Sequence, residues 1–337
     1  MAKRLLASAA LALALVACGG EDGSTPPIGG GGTPTPSPSP TPTYQTIAQL
    51  TGNQQFATAC AYFVFDRTVS PNFTALHEVP FGERGQLRFD AAASSWTYSE
   101  GAQTNPSQQT SFTVGPADLA ASPPASTTPY RRVTAGRSLE LTLRNGQQTG
   151  FATEYLRTFT LADIQAVTVP DSSRADRLCA YGVPTVAADT LPATATAYTS
   201  LNVIGTATLM NSAQRVRTYS LSDSTATFSV NGTAGTVSMS IQLVGREILA
   251  DGTLATTTTP LPALTAGTGT IGNARTPAIK VFEGNFVTGG VQEITSGFSG
   301  AFFGPQGAEV GFSFRTAPRS GTPNENFEIA GVVVARR

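Results

Sequence analysis

The sequence predicts a mainly all-β protein: a strand-rich first half followed by a small antiparallel eight-stranded soluble β-barrel. Three observations carry this. Thr236–Leu243 (TVSMSIQL) alternates polar and apolar without error, the mark of a strand with one dry face. Further runs of that kind recur at short spacings, set off by Gly, Asn, Asp and Ser. No long stretch places apolar residues at helical spacing. An antiparallel meander of this kind closes most economically into a barrel, because closure removes exposed edges. Eight strands enclose just enough room for their own side chains.

The second half supplies the clearer strands. They are Ser200–Leu209, Arg215–Leu221, Thr225–Val230, Thr236–Leu243, Ala278–Val287, Gly297–Phe303, Ala308–Phe314 and Glu328–Val334. Ser222-Asp223-Ser224 and Asn231-Gly232-Thr233 make tight connections between them. Small inward residues (Ala207, Ala226) set against large ones (Phe228, Phe286, Phe312, Phe314) suit a filled interior.

In the first half, Tyr44–Thr58 is expected to open with a short helix, with Ile47, Leu50 and Gln54 on one face. Ala61–Phe65 is an aromatic and β-branched strand. Gly85–Phe89 and Ser95–Ser99 form a hairpin around Ala91–Ser94. Ser138–Leu143 alternates with Leu139, Leu141 and Leu143 on one face and stops at the turn signal Asn145-Gly146. Tyr155–Leu161 is a further strand, and the stretches 101–110 and 121–130 read as surface loops. Trp96, the sole tryptophan, reads as a packing residue, and His77 as a solvated loop residue.

Composition narrows the function. Charged residues are 13% of 337, about half the usual share. With 21 basic and 22 acidic residues there is no basic field for nucleic acid. A single histidine excludes any site needing two imidazoles, and there is no Gly-x-Ser-x-Gly elbow or HExxH. The reading is a non-enzyme without a cofactor.

Residues 1–17 combine a positive start (Lys3, Arg4) with an apolar run too short to span a bilayer, ending at Cys18. This resembles a bacterial lipoprotein signal, which implies that Cys18 is lipidated and anchors the chain to the outer membrane, with Gly19 rather than Asp following it. Multiple acyl chains hold where one is marginal. Residues 18–43 form a Gly/Pro/Thr-rich tether without apolar periodicity, and its Thr/Ser-Pro run is an extended spacer. Losing Lys3 and Arg4 leaves 19 basic residues against 22 acidic, a net charge of −3.

With Cys18 assigned to the anchor, Cys60 and Cys179 remain, in an oxidising compartment. They are expected to form one disulfide, closing a loop of about 120 residues worth on the order of 5 kcal/mol in the chain-entropy account. Without a CxxC or a second His, they lack zinc-site spacing.

The end of the chain carries a second resemblance. Gly300-Ala301-Phe302-Phe303-Gly304-Pro305 leads into Glu309-Val310-Gly311-Phe312, and Ala330–Arg337 follows. This is similar to the terminal strands of the C-terminal barrel in the transferrin-binding protein B-like surface lipoproteins. Cys179-Ala180-Tyr181-Gly182-Val183-Pro184-Thr185 looks like the lead into that barrel in short members. The resemblance spans about 160 residues. It implies a handle-like domain over 44–194, a barrel over 195–337, cell-surface location and a binding role toward an extracellular protein, haem or another nutrient-related ligand. Gly300, Phe302, Phe303, Gly304, Pro305, Glu309 and Gly311 read as folding determinants, with Glu309 placed to bond turn amides. Full transferrin receptors are two-lobed and longer, so transferrin binding is not implied. A structural envelope lipoprotein is the competing reading. An integral outer-membrane barrel is disfavoured by the anchor, the tether and the Arg336-Arg337 terminus.

Overall fold

The computed structural model describes residues 42–337 except 67–72, 103–104, 146, 149–150, 169–170, 212–215, 250–252, 273–274, 289–290, 293–295 and 317–324. The leader, Cys18, nearly all of the tether and Gly146 lie outside the described residues.

The chain is all-β. The first sheet comprises β1 (Gln54–Asp66), β2 (Phe73–Val79), β3 (Gly85–Asp90), β4 (Ser95–Ala102), β5 (Asn105–Val114), β6 (Thr127–Thr134), β7 (Arg137–Arg144), β10 (Leu156–Thr168) and β11 (Asp171–Gly182); β8 (Gln147–Gln148) and β9 (Phe151–Ala152) pair separately. Their order is β5-β4-β3-β1-β11-β10-β7-β6, with β2 also on β1, and the sheet curls into a nearly closed antiparallel barrel. Long β1 serves two partners on one edge: Gln54–Ala57 pair with β3 and Cys60–Asp66 with β2.

The second sheet contains β12 (Thr196–Asn211), β13 (Val216–Ser220), β14 (Thr225–Asn231), β15 (Thr236–Gln242), β16 (Val244–Ile248), β17 (Leu254–Pro260), β18 (Leu264–Ile271), β19 (Val281–Asn285), β22 (Gly297–Phe303), β23 (Glu309–Thr316) and β24 (Glu325–Arg336); β20 (Val287–Thr288) and β21 (Val291–Gln292) form a separate pair. Eight strands close the ring β14-β15-β18-β19-β22-β23-β24-β12, because Thr196–Thr199 of β12 pair back onto β14. The other end of β12 carries β13, β16 and β17 as an extension.

Alternation fills both barrels. In β15, Val237, Met239 and Ile241 are buried while Thr236 and Ser238 face out. Phe228, Phe282, Phe298, Phe302 and Phe312 interlock in the second core, with Phe282 and Phe302 centroids 5.2 Å apart. The first core gathers Phe56, Leu87, Tyr98, Phe159 and Tyr181 around Cys60 and Cys179. These two cysteines sit opposite each other in the β1–β11 register and are disulfide-bonded.

Several expectations are corrected. The helix over Tyr44–Thr58 shrinks to a 3-10 turn at Ile47–Gln49, and the strand already begins at Gln54, consistent with Gly52 breaking a short helix. His77 lies in β2 opposite Tyr62, and 105–110 and 127–130 are strand, where loops were expected. The ring has eight strands, but Leu264–Ile271 takes the place expected for Arg215–Leu221, which is in the extension.

Candidate functional site

The two barrels meet along one face, where strand alternation sorts neighbours into different environments. Phe302 points into the second barrel, while Phe303 points out into a third apolar cluster with Ala59, Ala61, Phe63, Leu178 and Ala180 of the first. Phe81 meets Phe303 edge-on at 5.5 Å. Val332 and Val334 of β24 complete this dry end.

The C-terminal motif lies here. Gly300 faces Phe312 across β22–β23. Gly304 has φ +69°, and a Cβ there would come within 2.4 Å of the Tyr155 ring, so both backbone and space call for glycine. Pro305 then starts a 3-10 turn over Pro305–Gly307. A Cβ at Gly311 would approach Leu156 to 2.9 Å. The buried Glu309 carboxylate accepts from the backbone N–H of Glu154 (2.6 Å) and Tyr155 (3.0 Å), so the amides it binds belong to the first barrel's side of the junction. Burial pushes its titration up, and those amides oppose the rise.

The connection between barrels, 183–195, is fastened at the same end. Thr185 Oγ1 donates to the Gly304 carbonyl at 2.6 Å. Asp189 Oδ2 accepts from the Gln306 N–H (2.7 Å) and the Tyr44 hydroxyl (3.0 Å), which itself accepts from the Val186 N–H. Asp189 was not singled out in the sequence, since its partner lies more than a hundred residues away.

The opposite end of the junction is polar. A cleft of about 540 Å³ opens between the end of β2 and strands β18, β19, β22 and β23, lined by Glu78, Glu283, Asn285, Ser299 and Arg315. Glu78 Oε2 lies 4.0 Å from Arg315 Nε, and its side chain is 12% exposed. Burial is the main cause that pushes the Glu78 carboxyl up to about 7; Ser299 and Arg315 oppose the rise, and Glu283 and Glu83 add to it. Further along β24, burial alone pushes Glu328 up to about 7, and its Oε2 has no hydrogen-bond partner. A second cleft, about 440 Å³, lies against the first barrel beside Gln55, Arg88 and Thr97.

Inside the first barrel, Arg177 donates to Glu100 at 2.8 Å and lies 4.6 Å from the Tyr62 ring and 5.1 Å from that of Phe112. Arg137 grips Asp163 in a bidentate pair at 2.7 and 2.8 Å. Partly buried Trp96 packs on Phe89 and Tyr181. Among the described residues, no group of three or more His, Cys, Asp or Glu is placed to hold a metal ion.

No protein-family profile matches the sequence, and no curated protein matches it. Solved structures similar in arrangement include transferrin-binding protein B from Haemophilus parasuis, at 13% identity over 75% of this chain and 54% of that chain (TM-score 0.35). This chain thus spans about half the length of that protein. The isotype 1 transferrin-binding protein B from Neisseria meningitidis matches at 12% over 85% and 77% (TM-score 0.30). HpuA from Kingella denitrificans, in complex with human haemoglobin, matches at 14% over 88% and 95% (TM-score 0.33).

Proposed function

We propose that this chain is a lipid-anchored outer-membrane protein that presents a rigid two-barrel body at the cell surface to bind an extracellular protein. The observation that carries the reading is the pairing of an N-terminal address and spacer, ending near residue 43, with a body whose junction is fastened by Glu309, Asp189 and an apolar cluster. A rigid platform on a long tether suits capture, since little order is lost on binding. The two described clefts are lined mostly by polar side chains, which suits a protein ligand.

The test is protease accessibility on intact cells, alongside the Cys18→Ser variant. The expected result is digestion of the body on intact cells, palmitate labelling of the parent chain, and loss of both label and membrane retention in the variant. Protection until the outer membrane is broken would replace this reading with a periplasmic, envelope-structural one. A capture screen with extracellular proteins and with haem then identifies the ligand.

A further inference from the structure

The polar end of the junction is built as two rows of outward side chains set by strand register. One row runs Thr270, Glu283, Ser299, Ser313 across β18, β19, β22 and β23. In the neighbouring row Thr268 faces Asn285, and Gly297 faces Arg315. Gly297 leaves a gap in that row, and Glu78 from the other barrel drops into it. A Cβ at 297 would lie 2.9 Å from Glu78 Oε2 and 3.6 Å from Asn285 Oδ1. Ser299, beside Glu283 in register, is 2% exposed, and its Oγ leans toward Glu78 without completing a well-formed hydrogen bond.

Carboxylates outnumber cations in this cleft. Glu78 and Glu283 face one guanidinium, Arg315, which stands at the limit of ion-pair distance and is 31% exposed, beside the Asn285 amide and the Thr268, Thr270 and Ser299 hydroxyls. Glu83, the other carboxylate near Glu78, is paired with Arg275. With both cleft carboxylates ionised, the pocket carries one uncompensated negative charge.

We propose that the cleft is a recognition pocket for a primary ammonium group, supplied by a lysine side chain of the bound protein. An ammonium brings three donors and no acceptor, which matches Glu78, Glu283 and Asn285, with the Ser299 hydroxyl as a further partner. The described carboxylates do not group as a metal site, so a hydrogen-bonding cation is the fitting charge. Among the described residues of the chain, no lysine lines the pocket. Beyond Lys3 of the leader its one lysine is Lys280, whose backbone is tied to Thr185 and Phe302 at the dry end. The groups facing Glu78 are Arg315, Ser299, Glu283 and Glu83, and together with burial they hold its proton near neutrality. An arriving ammonium displaces that proton to solvent, so binding tightens from about pH 6 to about pH 8.

The identity of the partner rests on the binding-module reading; the pocket chemistry does not. The full mature chain, labelled with carbon-13 at glutamate carboxyls, is titrated with n-butylammonium, with a blocked lysine (acetyl-lysine methylamide) and with n-butanol. The expected result is a saturable shift of two glutamate signals with both amines and none with the alcohol. Glu283→Gln, which keeps the shape, is expected to weaken amine binding about tenfold, as loss of a charge-assisted hydrogen bond would. Equal response to n-butanol, no saturation, or unchanged affinity in both Glu283→Gln and Glu78→Gln overturns the proposal. Binding of n-butylammonium without the blocked lysine overturns the lysine source and assigns the pocket to free amines. A positive amine titration with a failed capture screen separates the pocket from the surface-receptor reading.

Discussion

The second barrel is a closed ring filled by phenylalanine, whereas the first keeps a seam between β5 and β6 and holds charge within its wall. In the second, each strand finds a hydrogen-bonded neighbour on both edges, and Phe228, Phe282, Phe302 and Phe312 form a continuous ring contact network. In the first, hydrogen bonding around the ring is incomplete, and a covalent tie between its central strands β1 and β11 stands in its place. One architecture can thus be secured by packing or by cross-linking, and among the described residues the half with buried ion pairs inside its barrel is the one with the cross-link. Buried pairs are weak evidence of stability, because desolvation offsets most of their attraction.

The largest effect is expected from removing the tie. Cys60→Ala with Cys179→Ala opens a loop of 119 residues and should cost on the order of 5 kcal/mol by the chain-entropy relation. Trp96 is the sole tryptophan and packs in the first core, so its fluorescence reports that barrel alone, while far-ultraviolet circular dichroism reports both. The expected outcome in a urea titration is a fluorescence transition moved to lower denaturant, with dichroism turning biphasic. If the two signals move together, the barrels unfold as one unit and the division at residue 194 has no energetic meaning.

A smaller effect is expected from the charge inside the first barrel. Arg177→Met leaves Glu100 without its partner and should destabilise by roughly 3 kcal/mol, and adding Glu100→Leu should recover most of that loss. Recovery fits a pair that is replaceable by apolar packing. A double variant as unstable as the single one would mean that the guanidinium's contacts with Tyr62 and Phe112 carry the stability instead.

How far the fold was legible follows from where each strand finds its core. β14 and β15 bury every second residue of their own, so their alternation is visible in the sequence. β18 (LTAGTGTI) is not, because Gly267 and Gly269 take inward positions and leave the volume to Phe286, just past β19, and Phe298 of β22. Its apolar contribution is an absence of side chain, which periodicity does not register. The disulfide followed from counting cysteines in a chain whose leader reads as an export signal. The acceptors of the junction did not: Glu78, Asp189 and Glu309 meet partners far away in sequence, and only for Glu309 did the motif around it draw notice.

The finest test sets the buried carboxyls of the junction side against a surface-paired one of the first barrel by pH. Burial raises Glu78 at the polar end, and Glu328 on β24, to about 7 from an ordinary 4.5. A carboxyl whose titration is raised by folding binds more protons in the native state than in the unfolded one. Stability from these two groups is therefore fully present below about 4.5, falls as pH rises, and is lost once pH has passed about 7. For the largely buried Glu78 the full swing is about 3 kcal/mol. Asp118 acts in the opposite direction: its pairing with Arg132 lowers its titration, so its contribution disappears only in acid. Urea midpoints should accordingly be higher near pH 5.5 than near pH 8, with Glu78→Gln flattening the slope and raising the pH 8 midpoint above that of the parent. A midpoint that instead rises steadily from pH 5.5 to pH 8 would show that both carboxyls reach water in the native state, and that the polar end of the junction is open where its apolar end is closed.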